Sequence, residues 1–141
     1  MYRAEEVAKY IVTYCAENRA PISHLQLQKI LYFAWIDYNK QTGSSLFSED
    51  ICAWQLGPVV PEVYYDFSAF GGLPITHRFQ TNISPVDKRI LNASIEQNWS
   101  YSAKQLVDKT HTPNGAWAHV YLRGQGLRSV IPKSLISQLG C

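Results

Sequence analysis

Apolar residues fall at Ala4, Val7, Ala8, Ile11 and Cys15, with Arg3, Glu6, Thr13 and Glu17 on the other side. That period predicts an amphipathic helix over 3–17, ended by the run Asn18-Arg19-Ala20-Pro21. A second helix follows in "ISHLQLQKILYFAWIDYNK". Ser23 with Gln26 makes a capping box, and Ile22 with Leu27 a hydrophobic staple. Leu27, Ile30, Leu31, Ala34 and Tyr38 share a broad apolar side that Leu25 and Ile36 widen, which predicts the central helix of the core. After "TGSS", Glu49–Trp54 reads as a short strand with apolar groups on both faces: Ile51 and Ala53 on one, Cys52 and Trp54 on the other.

Gly57 and Pro58 then predict a corner, with Pro61 at the first position of a helix, where its missing N–H costs nothing. In that helix Val63, Phe67 and Phe70 point one way, and Gly71-Gly72 stops it. Residues 73–83 read as extended and are expected to pair with the first strand. Ser84-Pro85 opens a helix to about Asn98. Ser102 with Gln105 makes a second capping box, stapled by Tyr101 and Leu106, for a helix ending near His111. "TPNGAW" turns the chain, a short helix carries Trp117, and a helical turn or two follows Ile131. The fold class expected is mainly α with a small β element (α+β). Five or six helices would pack around a central helix and a very short sheet.

The 141 residues fit one domain, 1–141, and a hydrophobic content of 46% against 17% charged residues suits an ordered globule. A net charge of +2 is too small to argue for nucleic acid. No apolar run approaches the roughly 18 residues of a membrane span, and no signal-peptide pattern opens the chain. Cys15, Cys52 and Cys141 are odd in number and widely spaced, which fits a reducing cytoplasm rather than disulfides or a zinc knuckle.

The segment "LQLQKILYFAWIDYNKQTGSSLFSEDICAWQLGPVVPEVYYDFSAFG" resembles the Panacea domain, the family of SocA-like antitoxins and phage-associated GepA-like proteins. The matching blocks are Leu27-Gln28-Lys29, Leu31-Tyr32, Ala34, Gly43, Leu46-Phe47, Ala53-Trp54, Gly57-Pro58-Val59-Val60-Pro61 and Val63-Tyr64. "YSAKQLVDKTH" with Trp117, and "VIPKSLI", resemble the family's later segments. The resemblance implies an antitoxin that neutralises a cognate toxin, encoded next to it, by direct contact. An adaptor role towards an ATP-dependent protease is also known in the family. No cofactor, metal or membrane partner is implied.

Gln28, Tyr32, Trp54, Pro61, Tyr64 and Trp117 are read as structural motif positions. The corner reads first as a stiff connection. A second reading leaves the amides at the start of the helix at 61 free for a partner, because Val60 has no side-chain acceptor. Gln26, Lys29, Asp37 and Lys40 fall on one polar stripe with Phe33 in its middle, and Tyr65 falls opposite Val63, Phe67 and Phe70. The candidate partner-binding set is therefore Lys29, Phe33, Gly57, Pro58, Val59 and Tyr65, with Phe33 and Tyr65 as exposed rings of one patch. The competing reading covers those rings with another segment of the chain.

Asp108 and His111 lie three apart, so the carboxylate is able to orient the ring as in an acid–base pair; a helix-terminal histidine is the plainer reading. His24, His77, His111 and His119 have no zinc spacing, and no phosphate loop, HExxH or GxSxG occurs. Arg123, Arg128 and Lys133 read as a thin solvated basic patch. No catalytic residue is assigned. The alternatives are a small nucleic-acid-binding regulator, a prophage-encoded inhibitor of a host protein, and an enzyme using Asp108 and His111.

Overall fold

A computed structural model describes Met1–Gly140; Cys141 lies outside the described residues. The helices are α1 (Ala4–Glu17), α2 (His24–Thr42), α3 (Pro61–Phe67), α4 (Pro85–Asn98), α5 (Ala103–Thr110), α6 (Ala116–Tyr121) and α7 (Lys133–Leu139). Two short strands, β1 (Cys52–Trp54) and β2 (Gly57–Val59), lie between α2 and α3. The protein is thus mainly helical with a minimal sheet. One helix beyond the expected five or six comes from the helical turns after Ile131, which form α7.

Helix α2 runs through the middle, touching α1, α3, α4, α5, α7 and β2. Every residue from Leu27 to Ile36 is buried, as a helix packed on all sides requires. Both expected capping boxes are present, at Ser23/Gln26 and Ser102/Gln105. Helix α1 has no local side-chain cap; the Ala4 amide donates instead to the distant Glu49 carboxylate at 2.9 Å. Gly43, at φ +73°, ends α2 in the left-handed conformation that favours glycine.

Two expectations about the strands are corrected. Gly57 and Pro58 belong to β2 rather than to a corner, because a two-residue turn at Gln55-Leu56 lets β2 fold back on β1 with Ala53 opposite Pro58. Residues 73–83 do not pair with β1. Ile75 bridges to Ile22, and the second side of β1 is taken by 128–131. There Ala53 N–H donates to Ser129 O, Arg128 N–H to Ala53 O and Ile131 N–H to Ile51 O. The edge of β2 away from β1 is met by α2. Lys29 Nζ donates to Pro58 O at 2.9 Å, and the Val60 amide donates to Gln28 Oε1 at 3.0 Å. Proline is tolerated here because that side of the strand needs no ladder donor. The small sheet is therefore closed on both sides.

Candidate functional site

Trp54, at the end of β1, is partly buried. Its ring lies between the Arg128 guanidinium, 4.3 Å from the ring centroid, and Tyr64, with centroids 4.8 Å apart. Tyr64 in turn meets the His24 ring at 4.8 Å. This row, Arg128–Trp54–Tyr64–His24, forms a wall of a groove of about 550 Å³. The lining also includes Leu56 from the β-turn and Leu127, which are 51% and 50% exposed. Tyr65 stands at the shoulder, 65% exposed and edge-on to Tyr64 at 5.6 Å. Leu73, just past the Gly71-Gly72 rim, is exposed as well.

Gln28 fixes the groove's polar floor. Its Oε1 accepts from the Val60 amide, so its Nε2 faces His24 Nε2 at 3.3 Å as donor. His24 therefore accepts at Nε2 and carries its proton on Nδ1. Burial, and then the nearby Lys29, push His24 below the usual histidine range, so it contributes dipoles to the groove rather than charge. Trp117 Nε1 donates to Trp54 O at 2.8 Å and holds the wall from behind.

The sequence-derived partner-binding residues separate here. Tyr65 faces outward as expected, and Val59 lines the groove although it is buried. Lys29 and Phe33 were expected on an exposed polar stripe, and this is corrected. Lys29 is fully buried under β2, and Phe33 is buried beneath the Lys109 ammonium, 4.4 Å from its ring centroid. Lys109 also donates to Asn98 Oδ1 at 2.7 Å, so the junction of α4 and α5 closes over that face of α2. Phe33 and Tyr65 do not form one exposed patch. Gly57 and Pro58 are buried too. At the start of α3 no side chain caps the helix, as expected from Val60 at the cap position, although the Val60 amide itself donates to Gln28 and the Val60 and Val63 side chains are buried.

Asp108 and His111 do not form a side-chain pair. Asp108 bonds to Lys104, while the His111 ring stacks on Trp117, centroids 3.8 Å apart and planes 2° from parallel. Burial and the Lys29 charge lower the His111 pKa, opposed by Asp108. Cys15 is buried and its thiol is pushed up to about 12 by burial, which makes it inert packing. Among the described residues no cluster of histidine, cysteine and carboxylate is able to hold a metal ion, and no helix is long and apolar enough to cross a membrane.

His24, Leu56, Leu127 and Arg128 carry no mark in the sequence of a shared groove: His24 reads only as a candidate metal ligand and Arg128 as part of a solvated patch. The signal lay in the turn: Gln55-Leu56 spans two residues between runs that pair, a spacing that suits a hairpin. No local pattern brings 128–131 back to β1.

Residues 27–118 match the family described as "Antitoxin SocA-like, Panacea domain". The chain is also 34% identical over 127 residues to Antitoxin SocA of Caulobacter vibrioides (strain NA1000 / CB15N), spanning 81% of this chain and 68% of that relative. No solved structure matches significantly.

Proposed function

Since the chain belongs to the SocA-like, Panacea-domain family of antitoxins, we propose that it neutralises a cognate toxin protein by direct contact, without chemistry of its own. The observation that supports this reading is the groove beside β1 and β2. It combines partly buried aromatics, Trp54 and Tyr64, with apolar side chains left in water, Leu56, Leu127 and the neighbouring Tyr65. Aromatic anchors with an exposed apolar surround are typical of the centre of a protein interface. Tyr65 and Val59 lie at this docking face. Lys29, Phe33, Gly57 and Pro58 serve it from beneath, by holding β2 and α2 in place.

Co-expression tests the proposal. The protein should restore growth to cells expressing the toxin encoded beside it, and the two should co-purify at a fixed stoichiometry. Rescue without any physical complex would defeat neutralisation by contact. Delivery to an ATP-dependent protease is the other route implied by the family resemblance, and it is read from toxin half-life. A half-life shortened by the antitoxin, and lengthened again in a protease-deficient host, supports delivery; an unchanged half-life supports blocking.

A further inference from the structure

The groove carries one permanent charge among its lining residues, and it is positive. Arg128 has no acidic partner among the described residues, and no aspartate or glutamate lines the space. Its guanidinium lies over the Trp54 ring, 4.3 Å from the centroid, a placement that leaves N–H donors available to a carboxylate. The backbone of Arg128 is left-handed at φ +68°, a conformation that strains a non-glycine residue. The short bond from its amide to Ala53 O, at 2.6 Å, holds it there. The sheet thus holds the main chain at Arg128, and the side chain of this exposed residue rests over Trp54.

The rest of the lining is uncharged, with Trp54, Tyr64, Leu25, Leu56, Val59 and Leu127 beside polar groups such as Gln28 and Ser68, and a volume of about 550 Å³ lies within the range that encloses a compact ligand or a few side chains. On the rim at Gly71 and Gly72 an added Cβ would meet nothing within 4 Å, which leaves room for a main chain to run past.

We infer that the groove receives a linear segment of the cognate toxin in which an apolar side chain lies within a few residues of an aspartate or glutamate. The apolar group fills the space between Trp54, Tyr64 and Leu56, and the carboxylate pairs with Arg128. This deepens the antitoxin reading and rests on it. A lone cation beside an apolar space suits a side-chain carboxylate; tracking a phosphate backbone takes a row of cations.

The test uses the full chain and N-acetylated, C-amidated peptides tiled across the toxin encoded by the neighbouring gene. One tile containing an apolar–acidic pair should bind, and Arg128→Gln should weaken it at least tenfold with an unchanged melting temperature. Exchanging the tile's acid for its amide should cost the same factor. Combined with Arg128→Gln it should cost nothing further, as expected for one shared interaction. Leu56→Ser, in the β-turn and away from the left-handed segment, should also weaken the tile and gives a reading if Arg128→Gln folds poorly. The inference is overturned if no tile binds, if the best tile is basic, or if both groove variants bind as well as the parent. Binding only of a tile with a free C-terminus would also overturn it, in favour of a terminal-carboxylate site. Growth rescue keeps the two ideas apart. A parent chain that fails to neutralise the toxin sinks the antitoxin reading, whereas groove variants that neutralise fully sink only the groove.

Discussion

Lys29 Nζ donates to the carbonyl of Pro58 at 2.9 Å, so the middle of α2 and the centre of β2 share one fully buried hydrogen bond. No carboxylate pairs with this lysine among the described residues. Burial pushes its pKa from 10.5 down to about 7. Between those values the unfolded chain holds a proton that the folded chain has released. Stability therefore rises with pH through the window, by at most about 1.4 kcal/mol per unit, and is flat in this respect below it, where both states are charged. Lys29→Met should remove that rise while adding a constant cost for the unpaired Pro58 carbonyl. Denaturant unfolding of both proteins from about pH 7 to 8.5 reads the difference, since the cysteine titration in that range is common to both. Parallel pH profiles would mean that the ammonium is not buried as described.

Gly57→Ala is expected to destabilise the protein by at least about 2 kcal/mol, through strain and overpacking together. The residue sits at φ +112°, and an added Cβ would lie 2.6 Å from Thr110 Oγ1 and 3.1 Å from Lys29 Cε. Chemical denaturation gives the value, and a loss under about 0.5 kcal/mol would show that α5 and Lys29 give way easily.

Phe33→Ala and Tyr65→Ala should part company. Phe33 is packed against Tyr32 and roofed by Lys109, so its truncation should cost about 3–5 kcal/mol of stability. Tyr65 is mostly in water, and Tyr65→Ala should leave the melting temperature nearly unchanged while weakening toxin binding at least about tenfold. Melting and affinity measured on the same preparations decide both. Equal affinity for the Tyr65 variant would move the interface off this shoulder.

His111→Ala removes a ring stacked on Trp117 and should cost about 0.5–1.5 kcal/mol. Neutralisation should stay within about tenfold of the parent, since the ring lies behind the groove wall rather than in it. Complete loss of activity in a folded His111→Ala protein would revive an acid–base role.

Elements set by local chemistry were readable in advance. Ser23 with Gln26 and Ser102 with Gln105 marked helix starts within a few residues, and α4 begins at Pro85 as the Ser84-Pro85 pair indicates. The stripe holding Lys29 and Phe33 misled for a physical reason. Helical periodicity tells which residues share a face, but not whether that face meets water. Lys29 is covered by β2, which lies 29 positions along the chain, and Phe33 by Lys109 from α5. Both coverings are long-range, and a buried lysine runs against every compositional expectation. The groove was illegible for the same cause. Its wall joins His24, Trp54, Tyr64 and Arg128, and only the strand-to-helix piece around Trp54 and Tyr64 is a local pattern.

The closure of β1 by residues 128–131 also sets when the groove is able to form during synthesis of the chain. Ala53 waits for Ser129, a partner made 76 residues later, to complete its hydrogen bonding, and Trp54 waits for Arg128. Until those residues have left the ribosome, the nascent chain has a hairpin open on one side and a groove without its charged end. Contacts of such long sequence separation form late, after the loop between them has been ordered. The groove is thus complete only once the chain has been made past residue 131.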